Sequence, residues 1–273
     1  MTLFQSILLG IVQGLTEFLP ISSSAHLVIV PFLFGWNIPI EQAFPFDVIV
    51  QLGTLLAVIV FFWRDLWAII KAFVLGLVNR KPFADPQARM GWYLILATIP
   101  AGLLGLLVKK YVEAAFSSAV ATACFLLATA LILFVAEKIG KRSRTLTSFN
   151  WLDALVMGLA QAVSIFPGIS RSGSTIAGGL TRNLDRPSAA RFSFLMSIPV
   201  MLAAGLLSVL DLRGAPGLSS FLPVLLAGFA AAAVVGYLSI RWLLSFLVRH
   251  SLIPFSIYCL AAGVLTLIVA YAR

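Results

Sequence analysis

The segment that most constrains this chain is Phe166-Pro167-Gly168-Ile169-Ser170-Arg171-Ser172-Gly173-Ser174-Thr175, a polar stretch broken by Gly and Pro and set between long apolar runs. Of the 273 residues 61% are hydrophobic and only 11% charged, so the surroundings are those of a polytopic helical membrane protein. At bilayer depth an unpaired cation and open backbone groups each cost several kcal/mol, so such a segment must line a protein cavity and meet a partner. Pro167 and Gly168 end one helix and Ser170 or Ser172 can cap the next, which leaves N–H groups, hydroxyls and a guanidinium converging on one spot. The natural guest of that arrangement is an anion. A mere connector between spans has no need of an arginine flanked by three serines and a threonine.

The rest of the chain repeats this design. Residues 3 to 19 and 25 to 34 are short apolar segments separated by Pro20-Ile21-Ser22-Ser23-Ser24, and they read as a hairpin that enters and leaves on the same side. Three full crossings follow at 44 to 75, 90 to 108 and 115 to 137, and the basic connector 138 to 150 closes this half. A second short pair, 151 to 166 and 172 to 182, flanks the arginine segment, and crossings at 188 to 210, 219 to 248 and 253 to 271 complete the chain. At a constant offset of 148, Gly10, Gln13, Phe18, Ile21, Ser22 and Ser24 fall on Gly158, Gln161, Phe166, Ile169, Ser170 and Ser172. Phe44 and Phe46 likewise fall on Phe192 and Phe194.

The expected fold is therefore all-α, a single integral membrane domain over 1–273 with repeats 1–137 and 151–273, ten helical segments and six full crossings. Three crossings per unit invert the second copy, so the two re-entrant hairpins point at each other near the midplane.

The two tips differ in chemistry. Gln13 and Glu17 are four apart on one helical face, and Ser22, Ser23, Ser24 and His26 open the following helix. The second copy has Ile165 in place of Glu17 and Arg171 in place of Ser23. One tip supplies a carboxylate, hydroxyls and an imidazole, the other a cation and further hydroxyls, a division suited to acid–base chemistry on a phosphoryl group. Either Glu17 or His26 can serve as base. Ser22 and Ser23 lie four and three residues before His26, so spacing does not choose between them as nucleophile.

Cys124 and Cys259 lie within apolar spans without metal-type spacing and read as packing residues. The net charge of +9 suits the loops of a membrane protein, and nucleic acid is not an expected partner. The first ten residues lack a basic n-region and read as mature structure. Fourteen Lys and Arg residues occupy or border 64 to 89, 138 to 150, 182 to 191 and 241 to 250, against Lys109, Lys110, Arg213 and Arg273 on the other side. The first side is expected to be cytoplasmic, with both termini and the opening of the site outside.

Two blocks, Gln13-Gly-Leu-Thr-Glu17-Phe-Leu-Pro20-Ile-Ser22-Ser23-Ser24-Ala-His26 and Pro167-Gly168-Ile-Ser170-Arg171-Ser172-Gly173-Ser174-Thr175, resemble those of the undecaprenyl-diphosphate phosphatases, the bacitracin-resistance family of bacterial membranes. The resemblance covers the whole chain. It implies hydrolysis of the C55 polyprenyl diphosphate to the monophosphate carrier, with release of inorganic phosphate and recycling of the lipid for peptidoglycan assembly. It also implies an inverted repeat with two re-entrant hairpins in the bacterial plasma membrane, and an essential set of Glu17, Ser23, His26 and Arg171. The resemblance tips the choice of nucleophile to Ser23. Gln13, Ser22, Ser24, Ser170, Ser172, Gly173 and Thr175 would line the phosphate site.

Gln13 departs from the acidic residue that the family pattern also allows, which removes one carboxylate. No dedicated cofactor is expected. Glu17 is the one candidate metal ligand, so Mg²⁺ or Ca²⁺ would arrive with the substrate diphosphate. The expected partners are the polyprenyl diphosphate and the bilayer, with the oligomeric state open, a homodimer included. Attack by Ser23 through a phosphoserine and direct attack by water both remain open, and the rival reading is a lipid-phosphate flippase or anion transporter using the same site.

Overall fold

The computed structural model describes residues 1–116, 118–211 and 218–272, and Arg213 and Arg273 of the charge count lie outside them. These residues form eleven α-helices and no strand. The helices are α1 (Leu3–Phe18), α2 (Ser23–Phe34), α3 (Ile40–Phe61), α4 (Trp63–Val78), α5 (Pro86–Phe116), α6 (Ala119–Ile139), α7 (Trp151–Val163), α8 (Arg171–Thr181), α9 (Arg186–Asp211), α10 (Leu218–Leu247) and α11 (Ile253–Ala272). Among the described residues five stretches are long and apolar enough to cross a membrane, namely Glu41–Phe61, Ala119–Ile139, Arg186–Leu206, Phe221–Leu247 and Ile253–Ala272. The crossing expected at 90 to 108 falls within α5, part of which lies outside the residues whose side chains are described.

Polarity is distributed inside out relative to a water-soluble globule. Leu103, Leu107, Leu131, Leu206, Val234, Leu238 and Ile268 face outward, while Gln13, Glu17, Ser22, His26, Gln161, Ser170 and Ser172 are buried. Apolar side chains lose nothing by facing lipid, whereas polar groups there would lack partners. The protein is polytopic and membrane-embedded.

One expected crossing, 44 to 75, is two helices instead. The chain turns at Phe62 (φ −98°, ψ 17°), where neither Gly nor Pro announces a break. The turn serves packing: Phe62 is buried against Phe194 on α9, Arg191 sits 5.5 Å over its ring, and the same Arg191 pairs with Asp65 at the start of α4. The ten expected segments thus become eleven. A second departure concerns Cys124, which is exposed on the outer face of α6; only Cys259 is buried.

Helices of the two halves pair in matching ways. α1 packs on α10 and α7 on α5, α3 on α10 and α9 on α5, and α3 meets α9. The contacts are close because glycine permits it. A Cβ at Gly10 would stand 2.4 Å from the carbonyl oxygen of Gly228, and one at Gly158 2.7 Å from that of Ala97. Gly10 and Gly158 are the pair related by the offset of 148.

The basic connector is pinned by carboxylates. Asp153, fully buried at the start of α7, accepts from both Nη atoms of Arg144 and from Nε of Arg182, while Glu137 at the end of α6 accepts from Arg186.

Candidate active site

Each half contains a helix that stops inside the protein and a second that starts after a few residues. α1 ends at Phe18, before Pro20, and Ser22 caps α2 by accepting from the Ala25 N–H at 3.4 Å. Ser22 holds φ 68°, a left-handed conformation that costs a non-glycine residue about 1–3 kcal/mol and persists only where its surroundings enforce it. In the second half α7 ends at Val163, Gly168 turns the chain with φ 106°, and Ser170 caps α8 by accepting from the Gly173 N–H at 3.0 Å. A Cβ at Gly168 would also come within 2.4 Å of the Thr122 carbonyl, so glycine is required twice over. Thr129 of α6 stitches this second break, donating its hydroxyl to the Gly168 carbonyl at 2.8 Å and accepting from the Ser170 N–H at 2.9 Å.

The two breaks meet, and they touch in near-mirror fashion. The Ser24 hydroxyl, 3.2 Å from that of Ser22, accepts from the Gly168 N–H at 3.4 Å. The Ser172 hydroxyl, 3.2 Å from that of Ser170, donates to the Leu19 carbonyl at 2.9 Å. Each tip therefore fastens the other. The first N–H groups of α2 and α8 have no acceptor within their own helices; the capping hydroxyls of Ser22 and Ser170 take up those of Ala25 and Gly173.

At the junction lies a short chain of charged and polar groups. Ser23 donates to Glu17 Oε2 at 2.5 Å, Gln13 Nε2 donates to the same oxygen at 2.8 Å, and Arg171 Nη2 pairs with Glu17 Oε1 at 2.5 Å. Glu17 comes from the first half and Arg171 from the second, 154 residues apart in sequence. Gln13 also lies 3.5 Å from the Thr54 hydroxyl on α3. It acts as a donor that holds Glu17 in place, a task that an ionised carboxylate at this position could not perform. Among the described residues no hydrogen-bond partner meets the buried Nη1 of Arg171, and native interiors rarely leave a charged group so.

Other residues singled out from sequence take different positions. His26 directs its ring nitrogens to partners other than the Ser23 hydroxyl. Its Nδ1 is 2.7 Å from the Ser22 carbonyl and its Nε2 2.7 Å from the hydroxyl of Tyr258 on α11. Thr175 sits a turn below the tip, bonded to the Arg171 carbonyl and to Ser193 at 2.6 Å. Ser170 and Gly173 are engaged in capping α8. Gln13, Glu17, Ser23 and Arg171 are thus brought into direct contact, while Ser22, Ser24, Ser170, Ser172 and Gly173 form the cradle around them.

Thr54, Thr129 and Tyr258 were not singled out by sequence reasoning. Each is one hydroxyl in an apolar helix, and its significance lies only in which tip it touches.

No group of three His, Cys, Asp or Glu side chains occurs among the described residues, and both Glu17 oxygens are already engaged by Arg171, Gln13 and Ser23.

Fold and site together define a polytopic helical membrane protein with an enclosed hydroxyl–carboxylate–guanidinium centre. Over residues 6–265 the chain matches the family described as Bacitracin resistance protein BacA. It is 46% identical to an undecaprenyl-diphosphatase of Chlorobium phaeovibrioides, an alignment that covers 98% of this chain and 97% of the relative. Proteins of the same name from Thermomicrobium roseum and Methanosphaera stadtmanae are 44% and 41% identical, over 100% and 98% of either chain. The chain belongs to the bacitracin resistance protein BacA family.

Proposed function

We propose that this protein hydrolyses undecaprenyl diphosphate to undecaprenyl phosphate and inorganic phosphate, returning the lipid carrier to peptidoglycan synthesis and so supporting bacitracin resistance. The observation that carries the reading is the Ser23–Glu17–Arg171 contact at the meeting of the two breaks. A flippase or anion carrier needs helix N-termini and a cation, but it has no use for a serine hydroxyl held 2.5 Å from a carboxylate. The names of the relatives point the same way.

In the proposed reaction the terminal phosphoryl group enters beside Arg171, whose unpartnered Nη1 donates to a phosphate oxygen. Ser23 Oγ attacks the terminal phosphorus while its proton passes to Glu17 Oε2. The bond from that phosphorus to the bridging oxygen breaks, and undecaprenyl phosphate leaves. Glu17 hands that proton to the departing phosphate, takes one from the attacking water, and returns it to Ser23 Oγ as the phosphoserine bond breaks and inorganic phosphate leaves. Positive charge from Arg171 and the N-termini of α2 and α8 stabilises the equatorial oxygens. Divalent ions enter this scheme only as companions of the diphosphate.

A groove of about 380 Å³ lined by Leu15, Leu19, Val235, Leu238, Ser239 and Trp242 begins at the first break and suits the start of a polyprenyl tail. In this reading the repeats 1–137 and 151–273 are inverted, and the hairpins α1–α2 and α7–α8 are re-entrant. The matched packing of α1 on α10 and α7 on α5 supports that arrangement. The plasma membrane is the setting, and the site opens to its outer face.

Phosphate release from undecaprenyl diphosphate by the purified protein in detergent tests the proposal. Turnover that disappears in Glu17→Gln is the expected result, and a folded wild-type protein that releases no phosphate overturns it.

A further inference from the structure

Both nitrogens of His26 are occupied away from the Ser23 hydroxyl. A carbonyl only accepts, so the 2.7 Å contact to the Ser22 oxygen puts a hydrogen on Nδ1. In the neutral ring Nε2 is then an acceptor, and the hydroxyl 2.7 Å from it, that of Tyr258, donates to it. The two rings also stack, with centroids 5.6 Å apart and planes 11° from parallel.

The acceptor of the Nδ1 hydrogen is what gives this pair its significance. Ser22 is the residue with φ 68°, and Ser23 follows it directly. A hydrogen bond to the Ser22 carbonyl therefore holds the strained turn from which Ser23 projects toward Glu17. α11 reaches the same break a second time, where Cys259 Sγ lies 3.7 Å from the Pro20 carbonyl, and it is anchored to α6 by Ser256, which donates to the Ala130 carbonyl at 2.7 Å.

We propose that Tyr258 is a positioning residue for the reaction: it fixes the tautomer and orientation of His26, which in turn holds the Ser22 turn that aims Ser23 at Glu17. The proposal rests on the hydrolase reading above and adds a residue from α11 to it. His26 is then a strut between α11 and the first break, and Glu17 alone receives the serine proton.

The chain contains two histidines, His26 and His250, so the full-length protein labelled with ¹⁵N-histidine shows only two imidazoles, assigned by a His250→Gln variant. The His26 ring should appear as the Nδ1–H tautomer, and Tyr258→Phe should shift its Nε2 resonance. Because misplacing a reacting group by about an ångström can cost about a hundredfold, Tyr258→Phe should lower kcat about ten- to a hundredfold with KM nearly unchanged. The double variant Tyr258→Phe/His26→Ala should be no slower than His26→Ala, since the two residues act in series. His26→Gln, which retains a donor and an acceptor, should recover part of what His26→Ala loses. An Nε2–H tautomer, an Nε2 resonance that ignores Tyr258→Phe, or full kcat in Tyr258→Phe would each overturn the proposal. The wild-type tautomer is read without any variant, so a poorly folding variant does not shield the idea. Failure of wild-type turnover, by contrast, would strike the hydrolase reading and leave the tautomer result to stand or fall alone.

Discussion

Glu17 stands where three demands meet, holding Gln13 and Ser23 on one oxygen and Arg171 on the other. Breaking this group apart should separate the roles. Ser23→Ala should abolish phosphate release while the diphosphate lipid still binds, because Arg171 and the helix N-termini remain; retention of a tenth of the turnover would transfer the attack to water. Arg171→Lys keeps the charge but loses the planar fork, one arm of which reaches Glu17 while the other takes a phosphate oxygen in the proposed reaction. It should insert normally and release phosphate at least tenfold more slowly, as measured at matched protein concentration. Sequence pointed to these residues because a carboxylate and a guanidinium in apolar surroundings demand explanation. It could not say that Gln13 serves Glu17 as a donor, or that His26 looks toward α11, because both depend on side-chain direction at a broken helix, where the regular 3.6-residue phase is lost.

Among the helices, α6 shows how an apolar span can build a site without contributing a charged group to it. The Thr129 hydroxyl satisfies one carbonyl and one N–H of the second break, groups that the end of α7 and the start of α8 leave without helical partners. Thr129→Val preserves shape and leaves both unsatisfied, at about 1–3 kcal/mol each. Its unfolding temperature in detergent should fall clearly below that of wild type, while Thr129→Ser should stay close to it. The junction of α1 with α10 makes a parallel case in packing. Gly10→Leu would drive a side chain into the Gly228 carbonyl, and either a lower unfolding temperature or poor insertion should result. The crossing helices were legible as long apolar runs and the hairpin helices as short ones, with the exception of the turn at Phe62, which arises from the fit of one ring against Phe194 and Arg191 rather than from a local breaker.

Across the whole molecule, the distribution of Lys and Arg argues for cytoplasmic placement of the connectors that hold Arg144, Arg182 and Arg186. In a background lacking Cys124 and Cys259, a cysteine placed at residue 2 or 273 should react with an impermeant thiol reagent in intact cells. Protection of both positions would invert the arrangement. Composition and periodicity by themselves determined that the chain is a helical bundle in a membrane and that two polar breaks interrupt its apolar runs. Those features are one-dimensional, since lipid enforces them on every segment it contacts. Tertiary structure alone decided that the two breaks interlock through Ser24 with Gly168 and Ser172 with Leu19, that Glu17 meets Arg171 across 154 residues, and that Thr54, Thr129 and Tyr258 support the centre. Such contacts follow from how close two helices can approach and from which way a side chain leaves a strained turn. No periodicity along the chain encodes them.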